Sequence, residues 1–195
     1  MRTPATIVNR SLAVATVLLA AIAARAEEPG FKPLFNGKDL TGWRQGQSPL
    51  VGKTETGDHR FAVKDGILVI RGAGPNEPKM KEIDTVDSFG GDFVLRLEFR
   101  AAKDANSGLH LRDHDFKHQL QIRDYPRVGP YKTLKHYKSG DWNAVEVVVK
   151  GTKAHCTCNG ELLEAALELP AKGPIGLQSE INTLEYRNIR IKPLD

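Results

Sequence analysis

Two stretches carry the clearest alternation of apolar and polar positions. In residues 92–100 (DFVLRLEFR), Phe93, Leu95, Leu97 and Phe99 share one parity, and Arg96, Glu98 and Arg100 share the other. In residues 106–124 (NSGLHLRDHDFKHQLQIRD), Leu109 and Leu111 are followed, after a polar break, by Leu120 and Ile122, while His110, Arg112, Gln119, Gln121 and Arg123 fall between. Successive side chains of a strand point to opposite faces, so each stretch predicts a strand with one apolar and one polar face. Folding the second stretch into a hairpin with matched faces sets His110 opposite Gln119 and Arg112 opposite Lys117, with the turn at His114-Asp115. A sheet face bearing imidazole, guanidinium and carboxamide groups suits a polar ligand.

The remaining chain reads as further strands. Phe61-Ala62-Val63 and residues 67–70 flank Asp65-Gly66, a pair that fits a tight two-residue hairpin turn. Residues 142–150 and the strands on either side of Asn159-Gly160 form another hairpin, and residues 174–180 and 184–193 are the last strands. In residues 184–193, Leu184 and Tyr186 hold one parity and Ile189 and Ile191 the other, which predicts a bulge near Arg187-Asn188. Trp43 is placed to plug one end of the fold. Residues 125–139, with their prolines, glycines and lysines, read as a long loop over one edge. Residues 161–169 are the one short helical candidate outside the N-terminus. The pattern predicts an all-β sandwich or jelly roll.

Composition changes this picture mainly at the N-terminus. Arg2 and Arg10, the uncharged run 12–23 and Ala24-Arg25-Ala26 form a signal peptide over residues 1–26, which leaves residues 27–195 as one domain. This expectation implies export to the periplasm or the extracellular space, with no membrane association after cleavage. The chain has 28 basic and 24 acidic residues. Removing Arg2, Arg10 and Arg25 brings it near neutrality, which offers no concentrated basic face for nucleic acid. Cys156 and Cys158 are two apart on a strand, an awkward spacing for a disulfide, and read as buried thiols.

Candidate chemistry gathers on the polar parities. Glu98 joins Arg112 and His110 if its strand neighbours the 106–124 hairpin; the plainer reading is a cross-strand Glu–Arg ion pair. His110 with a nearby carboxylate is a candidate divalent-metal pair. His110, His114 and His118 recur every four residues, but strand parity and Gly108 argue against a helix and make that spacing an accident. No G-x-S-x-G elbow, phosphate-binding glycine loop or H-E-x-x-H motif occurs.

Six segments in order, FKPLFNGKDLTGW, GDFVLRLEFR, NSGLHLR, QLQIRD, GDWNAVEVVVKG with CNG, and GPIGLQ with EYRNIRIKPL, resemble the 3-keto-disaccharide hydrolase family of secreted bacterial domains. The resemblance implies a concanavalin A-like two-sheet sandwich and cleavage of glycosides oxidised to a ketone at carbon 3. A ketone acidifies the hydrogen on carbon 2, so a base can remove it, the glycosidic oxygen leaves by elimination, and water adds back. Position by position, the resemblance implies roles for Glu98, Arg112, Gln121, Asp124 and Arg187. Gln119 stands where the family has a glutamate, and Glu180 where it has a histidine, with Gln178 on the same parity.

Two expectations follow. The first is a secreted hydrolase or lyase of 3-keto-glycosides, with Glu98, Glu180 and Asp124 as catalytic candidates and His110, Arg112, Gln119, Gln121, Gln178 and Arg187 binding substrate. No cofactor is required by this reading, although a divalent metal is compatible with it. The second is a non-catalytic carbohydrate-binding sandwich, favoured by the uncharged Gln119. In both, the partner is a carbohydrate.

Overall fold

The computed structural model describes residues 28–125 and 129–194. The expected leader lies outside the described residues. Among the described residues sixteen strands run in the order β1 (Lys32–Pro33), β2 (Trp43–Gln45), β3 (Ser48–Pro49), β4 (Phe61–Lys64), β5 (Ile67–Ile70) and β6 (Lys81–Thr85). They continue as β7 (Phe89–Gly90), β8 (Phe93–Ala101), β9 (Asn106–Leu111), β10 (Gln119–Arg123) and β11 (Asn143–Lys150). The last are β12 (Lys153–Cys158), β13 (Glu161–Glu168), β14 (Lys172–Gly173), β15 (Ile175–Ser179) and β16 (Leu184–Pro193). Among the described residues, no helix is long and apolar enough to cross a membrane.

Two antiparallel sheets pack face to face, as the alternation predicts. The first has the order β13-β12-β11-β8-β16-β5-β4, with β1 on β16; the second is β10-β9-β15-β6-β2-β3. β8 is buried at every other residue, with Phe93, Leu95, Leu97 and Phe99 facing Leu109, Leu111, Leu120, Ile122 and Leu177 of the opposite sheet in one core. Burying such side chains contributes on the order of 1.5–3 kcal/mol each. The fully buried Trp43 donates its indole N–H to the Leu34 carbonyl at 2.9 Å, closing one end. Tyr125, Tyr131 and Tyr137 pack together at the other end, Tyr137 stacked on Phe99.

Several local expectations are met. Asp65 and Gly66 both have positive φ, as the tight hairpin between β4 and β5 requires. The register of β16 on β8 shifts between Arg187 and Arg190, and Asn188 adopts a φ of 54°, so the bulge is real. Cys156 and Cys158 are buried free thiols on one face of β12. Residues 161–168 form a strand rather than a helix, because pairing with β12 satisfies their backbone.

Candidate functional site

The outer face of the second sheet is polar, and its register sorts the side chains into rows across the strands. In one row stand Gln119, His110, Gly176, Asp84 and Arg44, each Cα-paired with the next. The adjacent row holds Gln121, Gly108, Gln178 and Glu82. The pairing of His110 with Gln119 is the one expected from the sequence. Glycine at the centre of each row leaves room for neighbours. A Cβ on Gly176 would lie 2.8 Å from Oδ1 of Asp84, and one on Gly108 would run into the Gln119 carboxamide.

His114 enters from the β9–β10 connection and completes the cluster. Its Nδ1 lies 2.5 Å from Oε2 of Glu82 and its Nε2 3.2 Å from Oδ2 of Asp84. Nε2 of His110 lies 3.2 Å from Oε1 of Glu82 and 3.0 Å from the Gln119 amide nitrogen. Gln119 in turn accepts from the Gln121 amide. His110 is buried, whereas His114 is 44% exposed, so solvent and ligand reach the cluster past His114. The connection is tied down locally. Asp115 caps a 3-10 turn at Phe116–His118, and the imidazole of His118 pairs with Asp113 at 2.7 Å. That turn holds the exposed Phe116 ring 6.3 Å from the His110 ring.

The two carboxylates are pushed apart. For Glu82, burial pulls the pKa up, but hydrogen bonding and charge from His110 and His114 outweigh it, and the carboxyl sits below its usual range. For Asp84, burial dominates over the attraction of His114 and Arg44 and raises the pKa. A neutral imidazole carries one N–H, so contacts from His114 to two carboxylates call for a second proton on the ring or on Asp84.

Glu82, His110 and His114 bring three ligand atoms within 4.8 Å of one another. Two imidazoles and one carboxylate, with positions left open, suit a divalent transition metal, so the residues fit the cation that the sequence left open at His110.

Six buried side-chain polar atoms have no partner among the described residues, and five of them belong to this face: Nε of Arg44, Oδ1 of Asp84, Oδ1 of Asn106, Nδ1 of His110 and Oε1 of Gln178. Buried polar groups are ordinarily paired, so this concentration marks a face that expects company. Three surface clefts of about 280–290 Å³ lie elsewhere, and none of their lining residues belongs to the two rows.

The structure redistributes several residues expected at the site. Arg112 does not share the His110 face or oppose Lys117. β9 ends at Leu111 and Arg112 takes a φ of 74°, which breaks the parity. Its guanidinium turns inward and donates to the carbonyls of Gly151 (2.8 Å), Pro170 (2.9 Å) and Gly91 (2.5 Å). Glu98 and Arg187 lie on the first sheet, where Nε of Arg187 donates to Glu98 at 2.7 Å and Asn188 adds a bond at 3.0 Å. That is the cross-strand ion pair of the plainer reading, remote from His110 because β8 joins the other sheet. Asp124 follows the inward parity of Leu120 and Ile122, and accepts from the Asp104 amide and the Tyr137 and Ser139 hydroxyls. Glu180 accepts from Asn106 at 2.7 Å, at the end of β9 four residues, or about 13 Å, from His110. Gln178 and Gln121 do lie in the second row.

Sequence reasoning missed Arg44, Glu82, Asp84 and His114. The four-residue spacing of His110 and His114 was a usable signal after all. It works through a connection that folds back over the sheet, with the rings 5.4 Å apart, and not through a helix.

The fold and this face define a class: a jelly-roll sandwich with a carboxylate–imidazole cluster on the outer face of one sheet. Among solved structures, one from Parabacteroides distasonis described as a "putative glycosyl hydrolase" aligns with a TM-score of 0.64 at 21% identity, covering 85% of this chain and 94% of that one. A second so described from the same organism gives 0.63 at 23% identity, over 84% and 99%. A β-glucanase of Bacillus licheniformis gives 0.55 at 12% identity, over 85% and 97%. At these identities the likeness is one of fold. No curated protein matches significantly. More narrowly, the chain matches the 3-keto-α-glucoside-1,2-lyase-like domain over residues 30–192 and belongs to that family.

Proposed function

We propose that the protein cleaves 3-keto-glycosides by elimination across carbons 1 and 2, with Asp84 as base and His114 as acid. The observation that carries this reading is the contact of Asp84 with His114 at 3.2 Å on an accessible polar face, in a chain of this family. Asp84 removes the hydrogen on carbon 2, and the C–H electron pair becomes the carbon 2–carbon 3 double bond of an enolate. As the ketone re-forms, a carbon 1–carbon 2 double bond is made and the glycosidic C–O bond breaks. His114 gives its proton to the departing oxygen, and Glu82 holds the ring through Nδ1. Water then adds across the new double bond, for net hydrolysis. This assignment replaces Glu98 and Glu180 as base, because neither lies in the cluster. Gln119, Gln121 and Gln178 supply amide contacts for sugar hydroxyls. A divalent cation held by Glu82, His110 and His114 would supply Lewis-acid polarisation of a substrate oxygen. Residues 1–26, read as a leader, would place this activity outside the cytoplasm.

The test is incubation of the purified protein with a 3-keto-glucoside in deuterated water. Release of the aglycone with deuterium at carbon 2 of the product supports elimination and re-addition. Release without deuterium would indicate a glycosidase mechanism of the two-carboxylate kind. Sugar binding with no release would leave a carbohydrate-binding domain and sink the enzyme reading.

A further inference from the structure

One orphaned atom on the polar face sits on a residue that the proposed elimination has not yet used. Nε of Arg44 is buried and has no partner among the described residues. Leaving such a donor unsatisfied is destabilising, and a group of that kind calls for a reason other than packing. The arginines expected to hold substrate are committed elsewhere. Arg112 donates to three carbonyls, and Arg187 pairs with Glu98.

The position of Arg44 is fixed from both sides. Its Cα pairs with Asp84 of β6 and with Pro49 of β3, so its side chain rises from the outer face beyond Asp84, on the side away from His110. Trp43, immediately before it, is fully buried and tied to Leu34, and the Gln45 amide, immediately after it, donates to Asp58 at 2.9 Å. The backbone that carries the guanidinium is therefore held on each flank.

The order across the sheet is guanidinium, carboxylate, imidazole: Arg44, then Asp84, then His114 reaching over Gly176. The elimination makes three demands on three consecutive carbons. The oxygen on carbon 3 needs an electrophile, the hydrogen on carbon 2 a base, and the oxygen on carbon 1 an acid. The two orders coincide. We infer that Arg44 forms an oxyanion site on this face, receiving the ketone oxygen of the oxidised sugar and stabilising the enolate. This rests on the elimination reading and adds an electrophile that the chain itself supplies. When the carbon 2 proton passes to Asp84, the carbonyl π pair becomes a lone pair on the carbon 3 oxygen, facing a guanidinium that stays charged and offers a fork of donors. When the carbonyl re-forms, that charge leaves with the glycosidic oxygen, which takes the His114 proton. Arg44 itself exchanges no proton.

The experiment compares the wild-type protein with R44M and R44K on a 3-keto-glucoside, alongside their melting temperatures. R44M should lose on the order of 10²–10³-fold in kcat, the usual effect of removing an oxyanion donor, with a far smaller change in KM. R44K should fall between. Millimolar guanidinium should raise the rate of R44M and leave the wild type and D84N unchanged. The melting temperature of R44M should stay close to that of the wild type, since removing an unsatisfied buried donor is offset by the attraction that Asp84 loses. An active wild type with an equally active R44M overturns this inference and leaves the elimination standing. So does a slow R44M with a lowered melting temperature and no guanidinium rescue, which would make Arg44 structural. A wild type without turnover overturns the elimination, and the role of Arg44 with it.

Discussion

Arg112→Met separates a structural arginine from a substrate-binding one. The side chain is buried, at 2% exposure, and its two terminal nitrogens donate to Gly151, Pro170 and Gly91, carbonyls of three separate connections. It also lies over the Phe93 ring, 5.4 Å from its centroid. Burial lowers its pKa, with Asp92 pulling the other way, so part of the gain from the three bonds is offset by desolvation. Taking about 1 kcal/mol net for each bond, plus a cost for carbonyls left without donors, the substitution should destabilise the protein by about 3–4 kcal/mol. For a chain of this length that corresponds to about 6–16 °C in melting temperature. Arg112→Lys should lose most of the same stability, because an ammonium cannot span three carbonyls in the plane of a guanidinium. The assay is urea denaturation followed by circular dichroism, with turnover measured well below the transition. Near-normal turnover per folded molecule is expected. A variant with an unchanged denaturation midpoint and collapsed turnover would refute this account of Arg112 and return it to the substrate.

Four further outcomes follow from the same reasoning. Glu98→Gln should leave turnover unchanged and lower stability by no more than about 1 kcal/mol, because the Arg187 side of the pair is partly exposed and Asn188 still bonds to an amide; lost turnover would bring Glu98 back into the chemistry. Cys156 and Cys158 should resist thiol reagents in native protein and react after unfolding, since burial pushes both thiols up to about 12. Because the folded thiols ionise later than unfolded ones, their contribution to stability is complete below about pH 9 and fades as pH rises towards 12, so denaturation midpoints should fall over that range. If Glu82, His110 and His114 carry a cation, dialysis against a chelator followed by Zn²⁺ or Mn²⁺ should raise the melting temperature, and Glu82→Gln should abolish the increase; no shift with either metal would count against a cation there.

The strands were legible where a single segment held enough alternation to decide its own faces. Residues 93–101 and 119–123 did, and so did the hairpin whose Asp65-Gly66 pair has one favoured geometry. The register of His110 on Gln119 followed from matching polar faces within one hairpin. Parity failed where the chain left the strand: at Arg112 a positive φ turned the side chain from the polar face into the interior, and no property of the residue announces that. It also failed across long separations. Residues 81–85 (KEIDT) contain one large apolar side chain, too little to reveal that Glu82 and Asp84 face outwards beside residues 176 and 178. Glu98 stood near Arg112 in sequence but joined the other sheet, because β8 pairs with β11 and β16. The family resemblance supplied the chemistry, while the sheet order decided which residues could perform it.

That sheet order also bears on how the molecule comes to exist. β15 sits between β9 and β6 in one sheet, and β16 between β8 and β5 in the other, so residues 175–193 supply an interior strand to both. Until that segment has been synthesised, neither sheet is continuous, and the separate fragments have exposed edges. A nascent chain of this design cannot condense domain-wise as it emerges, and its folding must wait for the late strands and then close contacts of long sequence separation, which is slow. The interval is a window in which a chaperone meets an open chain. It also makes the cluster of Glu82, Asp84, His110 and His114 a product of the last step, because β15 is what brings β6 alongside β9.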